Sequence, residues 1–123
     1  MSNSTLHSFF KIRKQGRVTL IGDAAHAMRA TDGQGGNMAF EDALVLCRFL
    51  GSEKLRSTIT GANKSTTTAD TALAEVLAEF ERTRLPRVKK MHDNQRMRYE
   101  ARMRGEKVGP WTSEFKDWAF KGV

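Results

Sequence analysis

Asp23 and the glycine-rich turn Gly33-Gln34-Gly35-Gly36-Asn37 are the residues of this chain whose types and spacing could do chemistry. A carboxylate behind an apolar run can accept hydrogen bonds from adjacent hydroxyls of a sugar or sugar alcohol. Gly33, Gly35 and Gly36 remove side chains where backbone would approach a ligand. A helix that starts there aims free N–H groups and a positive dipole end at whatever sits in front of it. A polyhydroxylated ligand with an electron-rich or anionic edge suits both features. His26 lies between them. No carboxylate–histidine pair is evident from the spacing, so a local packing or hydrogen-bonding role is expected rather than acid–base work. His7 and His92 lack metal-ligand spacing, and the single cysteine, Cys47, suggests neither a disulfide nor a metal site. No catalytic residue and no metal ligand is assigned.

The elements that must position these residues follow from the hydrophobic pattern. Val18-Thr19-Leu20-Ile21 is a short β-branched apolar run that reads as a buried strand, ended by Gly22. A loop rich in Ala and Gly follows over 24–36. A helix is expected from about Gly36 to Leu50, with Met38, Asp42, Val45, Cys47, Phe49 and Leu50 near one face and Gly51 as its stop. Cys47 is expected as a buried, inert thiol. Residues 51–69 are rich in Ser, Thr and Gly and read as a polar loop. Thr68 or Asp70 could cap the next helix. Leu73, Val76, Leu77 and Phe80 follow helical spacing, and the pattern runs through Val88 and Met91 to about Arg104. Pro86 should kink or split that 70–104 region. An aromatic tail, 105–123, carries Trp111, Phe115, Trp118 and Phe120, which need a surface to pack on. Met1–Ser8 is polar and expected to fray, and Phe9, Phe10 and Ile12 could add an extended piece. The expected fold class is an α/β fragment, mostly α, with one short strand followed by two to three helices.

Charge is distributed unevenly over the 123 residues. The formal net charge of +7 sits in 82–107, where ten Lys/Arg face three Asp/Glu; the remainder holds eleven of each. A basic stretch can meet nucleic acid or an anionic membrane. A solvated helix face is the simpler account, because no nucleic-acid motif accompanies it. The lone cysteine, the lack of a membrane-length apolar run and the lack of a secretory pattern at the N-terminus lead to the expectation of a cytoplasmic protein.

Gly22-Asp23-Ala24-Ala25-His26, Gly33-Gln34-Gly35-Gly36-Asn37 and Glu41-Asp42-Ala43 together resemble the second FAD-binding motif of the FAD-dependent aromatic hydroxylases, the para-hydroxybenzoate hydroxylase-like monooxygenases. Phe80-Glu81-Arg82-Thr83-Arg84-Leu85-Pro86-Arg87 is similar to a later helix of that family. The strong match covers 17–50, and a weaker one covers about 76–96. The resemblance implies that Asp23 binds the ribityl chain of FAD and that Ala24 lies near the pyrophosphate. It implies that Gly35, Gly36 and Asn37 hold the pyrimidine edge of the flavin. NADPH or NADH would be the reductant, and a small aromatic or polycyclic molecule, in secondary metabolism, would be hydroxylated or epoxidised.

Two departures stand out. The family usually has proline near positions 29–30, where this chain has Arg29 and Ala30, so a less rigid loop is expected there. The strand–GxGxxG–helix unit for the ADP half of FAD is absent from the sequence. The chain is therefore expected to be a partial FAD-binding domain, matching the C-terminal portion of such an enzyme. A second chain could supply the missing half. Competing readings are a catalytically inactive remnant or interaction module and, through 82–107, a basic nucleic-acid binder.

Overall fold

The computed structural model describes residues 17–61 and 66–121. The extended piece expected near Phe9–Ile12 lies outside them. Five α-helices and one 3-10 turn make up the regular structure of the described residues: α1 (Asp23–His26), the turn Ala30–Asp32, α2 (Gln34–Leu50), α3 (Glu53–Thr60), α4 (Thr66–Met103) and α5 (Ser113–Phe120).

α2 places Met38, Asp42 and Val45 in the interior, an i, i+4, i+7 stripe with a carboxylate at its centre. It ends at Gly51, whose N–H reaches the carbonyl of Cys47 at 2.8 Å. α3 starts at Ser52, whose hydroxyl accepts from the N–H of Leu55 at 3.4 Å, and buries Leu55. α4 has 38 residues, so it is about 57 Å long at 1.5 Å per residue. Leu77, Phe80, Arg84, Val88, Met91 and Gln95 are its buried residues, spaced three or four apart along one face. Its end is a Schellman turn: Gly105 takes φ 79°, its N–H bonds the carbonyl of Arg102, and the N–H of Glu106 bonds the carbonyl of Ala101. α5 is capped by Thr112, whose hydroxyl accepts from the N–H of Phe115 at 3.2 Å.

The core sits where α2, α4 and α5 meet. Met38, Val88, Met91 and Ala119 are buried there, with Met28, Trp111, Phe115 and Trp118 packed around them. The tail aromatics thus find the surface they require. Trp111 meets Phe115 edge-on at 5.0 Å, and Phe115 meets Trp118 at 5.2 Å. Phe120 alone among them stays largely exposed.

Several expectations are corrected. The mostly helical character holds, but Val18–Ile21 is not a strand among the described residues: Val18 is 61% exposed, and the segment has no ladder partner there. A strand is stable only when its N–H and C=O groups are paired. The polar stretch 51–69 is not all loop, because Ser52 caps α3 within it. The tail also folds into a helix, so five helices stand where two to three were expected. α4 begins at Thr66, which places Thr68 and Asp70 inside the helix rather than at its cap. Pro86 does not split α4. It occupies an exposed position, where the carbonyl freed four residues earlier can be solvated, and the helix runs on through it. Cys47 is exposed, not buried: three of its α2 neighbours, Phe40, Leu44 and Leu50, are also exposed, so the apolar face of α2 is wider than the core that covers it.

Candidate functional site

Asp42 is the centre of the site's framework. It is fully buried yet has partners on both oxygens. Oδ2 accepts from the backbone N–H of Gly22 at 2.8 Å and faces His26 Nε2 at 2.5 Å. Oδ1 accepts from Arg84 Nε at 2.7 Å. Arg84 also donates to Glu41 Oε2 at 3.0 Å and to the carbonyl of Met38 at 3.4 Å. Glu41 is gripped from the other side by Arg87, which donates to both carboxylate oxygens at 2.6 and 2.7 Å. Arg87 then reaches α5, donating to the carbonyls of Ala119 at 2.7 Å and Trp118 at 3.4 Å, and covers the Trp118 ring at 5.1 Å. Two carboxylates and two guanidiniums thus tie α1, α2, α4 and α5 together with no net charge.

Burial works against ionisation of Asp42, but the hydrogen bonds from His26, Gly22 and Arg84 outweigh it and hold the carboxyl below its usual range. Burial likewise opposes the charge on Glu41, and Arg87 and Arg84 overcome it. The bidentate contact with Glu41 raises the pKa of Arg87.

His26 was expected to have no carboxylate partner, and Asp42 corrects that. The reason is tertiary: sixteen residues separate the two, and only the turn from α1 to α2 brings them together. The ring is buried, and Nε2–H is committed to Asp42. Nδ1 has no partner among the described residues.

Gly22 connects this framework to the open face. Its φ of 58° with ψ of −145° is accessible only to glycine, and a Cβ there would also lie 3.2 Å from the Cβ of Ala39. Asp23 follows, exposed, at the start of α1. Its Oδ1 would be 3.6 Å from a Cβ on Gly35, so the carboxylate stands directly beside the start of α2. Gly33 turns the chain with φ 64°, and no side chain caps α2. A Cβ on Gly36 would meet nothing within 4 Å. Asn37 is exposed, with Nδ2 donating to Gln34 Oε1 at 3.2 Å. Ala24 is exposed on α1. The fold therefore brings Asp23, Ala24, Gly35, Gly36 and Asn37 to one open region: an acceptor for hydroxyls beside a set of backbone donors. Such a set can accept hydrogen bonds from hydroxyls and donate them to an electron-rich edge.

The loop between Asp23 and Gly33 is held firmly despite lacking proline at 29–30. Gln95 clamps Arg29 through both backbone groups, accepting its N–H at 3.0 Å and donating to its carbonyl at 2.5 Å. His92 Nε2 lies 3.2 Å from the carbonyl of Ala27. Asp32 lies 3.8 Å from both Arg98 and Arg102. Arg29 is exposed, and its guanidinium lies over the Tyr99 ring at 4.0 Å.

The basic stretch 82–107 is correspondingly less free than its charge suggests. Arg84 and Arg87 are spent on the framework, and Arg98 and Arg102 on Asp32. Lys89 and Arg96 share Asp93, Arg104 pairs with Glu106, and Lys90 lies 4.2 Å above Trp118. No group of residues that could hold a metal occurs among the described residues, and no helix there is long and apolar enough to cross a membrane.

Comparison with known proteins bears on the same residues. The sequence pattern of the FAD binding domain family matches residues 7–95. The FAD-dependent monooxygenase prhF of Penicillium brasilianum is 40% identical over 80 residues, 65% of this chain and 16% of that protein. The 3-amino-4-hydroxybenzoate 2-monooxygenase PtnB3 of Streptomyces platensis is 40% identical over 83 residues, 68% of this chain and 17% of the other. The aurachin C monooxygenase/isomerase of Stigmatella aurantiaca is 34% identical over 115 residues, 92% of this chain and 24% of its own length. The chain thus spans a sixth to a quarter of these relatives. No solved structure matches it. With the glycine turn, the carboxylate beside it and the two motifs that lock them all inside the matched span, this chain belongs to the FAD binding domain family of FAD-dependent, aromatic hydroxylase-type monooxygenases.

Proposed function

We propose that this chain is the flavin-side part of an FAD-dependent monooxygenase that hydroxylates or epoxidises a small aromatic or polycyclic molecule in secondary metabolism. The observation that carries the reading is the placement of exposed Asp23 beside Gly35 at an uncapped helix start. Asp23 would accept hydrogen bonds from the ribityl hydroxyls, and the backbone at Ala24 would lie toward the pyrophosphate. Gly35 and Gly36 would present N–H groups to the pyrimidine edge, with Asn37 completing that side. Bound FAD would supply the redox chemistry, accepting a hydride from NADPH or NADH and activating oxygen. The chain's own residues orient the cofactor and shape the space beside it; no side chain here is assigned a proton transfer.

The ADP half of FAD finds no glycine-rich cradle in this sequence. We infer that a further polypeptide segment supplies it, on the same chain or a second one, in the cytoplasm. Exposed Val18, Ile21, Phe40 and Leu44 support this, because an apolar surface of this kind is stabilised by being covered.

Titration of the purified chain with FAD, followed by flavin fluorescence, tests the reading. Micromolar-range binding, weakened about tenfold or more in Asp23→Ala, is the expected result. A folded chain that leaves flavin fluorescence unchanged would make the site an inactive remnant.

A further inference from the structure

We infer that Arg29 forms an anchoring site for the carboxylate of an aromatic acid, placed on the loop between Asp23 and the glycine turn; the inference rests on the flavin-side reading of that turn. Three observations converge on it. The Arg29 guanidinium has no carboxylate partner among the described residues, whereas Arg84, Arg87, Arg98 and Arg102 all have one. It is nevertheless held in place. Tyr99 lies beneath it at 4.0 Å, and Gln95 fixes the backbone on both sides of its Cα. A guanidinium stacked on a ring keeps its N–H edge free for a planar acceptor, and its ordering is already complete before a ligand arrives. The local charge also favours an anion. Arg98 and Arg102 share the carboxylate of Asp32 on the same loop, and Arg98 Nε is buried without a hydrogen-bond partner among the described residues.

A carboxylate matches the flat fork of one guanidinium through two parallel hydrogen bonds, and an aromatic ring attached to it can extend the stack begun by Tyr99. Proline at this position could offer only a carbonyl. Arginine at position 29 would therefore narrow the acceptable substrates to those carrying an acid group.

The test compares benzoate with benzamide, which has the same shape without the charge. Binding to the full chain is followed by the NMR resonance of the Arg29 Nε–H, identified by its loss in Arg29→Gln, and by isothermal calorimetry of both proteins. FAD is titrated into the same samples. Benzoate is expected to bind about tenfold or more tightly than benzamide, as for a charge-assisted pair. The preference should vanish in Arg29→Gln, with FAD binding and thermal midpoint unchanged. Equal binding of acid and amide, survival of the preference in Arg29→Gln, or displacement of benzoate by inorganic phosphate at equal concentration would each overturn the proposal. FAD binding without an acid preference removes only the Arg29 site. An acid preference without FAD binding removes the flavin reading and leaves a carboxylate site. Failure of both ligands removes both.

Discussion

The interior framework around Asp42 and the open face around Asp23 share the short stretch 22–42 but obey opposite rules. Asp42 is enclosed, with a partner for each oxygen and its charge balanced by Arg84. Asp23 is exposed, stands next to a glycine and faces helix donors that no side chain caps. The first arrangement contributes to stability only if all of its members are present. The second leaves polar groups open, as a ligand site does before it is filled. Two acidic residues that look alike in sequence are thus separated into a scaffold group and a candidate binding group.

The largest effect should come from breaking the scaffold. Asp42→Ala strands buried Arg84 and the N–H of Gly22, and we expect about 3–5 kcal/mol of lost stability in urea unfolding. If the loss were under about 1 kcal/mol, the framework would not be the scaffold. Arg87→Ala should cost less, about 2–3 kcal/mol, because Glu41 is partly solvated and keeps Arg84. It should also loosen α5, seen as a red shift in Trp111 and Trp118 fluorescence. A loss of stability with unchanged tryptophan emission would show that Arg87 does not hold α5.

Acid should reproduce part of this loss. Asp42 and Glu41 both have folded pKa values below their ordinary 3.8 and 4.5. Their stabilisation is therefore full above those values and disappears as pH falls through the lowered folded ones, where the unfolded chain binds more protons. The urea midpoint should be flat near neutrality and fall below about pH 4.5, by on the order of 1 kcal/mol per pH unit. Asp42→Asn should flatten that slope, and Asp23→Ala should leave it as it is.

The smallest stability changes, and the sharpest contrast, belong to the open face. Gly36→Ala places a methyl in empty space on a helix, so stability should stay level or rise by about 0.5 kcal/mol. Asp23→Ala should stay within about 0.5 kcal/mol. Both should nonetheless weaken FAD binding in the fluorescence titration. A large loss of stability in either would move that residue into the scaffold.

The sequence alone was enough to mark the glycine turn, the carboxylate before it and the helical spacing of about 36–50 and 73–91, because these depend on local backbone chemistry and on a period of 3.6. It also held a clue that was not taken up. Asp42 lies in the stripe Met38–Asp42–Val45, and Arg84 in the stripe Phe80–Arg84–Val88. A charge of each sign on two otherwise apolar faces is what a buried pair looks like before folding. Ser52 and Thr112 were likewise readable as caps, and α3 and α5 were missed because short helices carry weak periodicity.

Other features had no local signature. His26 meets Asp42 because the turn from α1 to α2 brings them together, while Gln95 replaces proline as the brace for Arg29 and Arg87 joins Glu41 to the end of α5 because α4 lies across both. Val18–Ile21 shows the converse. Its residue types favour a strand, but a strand exists only with a neighbour to pair with. Local propensity and spacing set which segments turn, coil or could bind; long-range partners decide which charges are buried, which strand forms and which polar groups are left open.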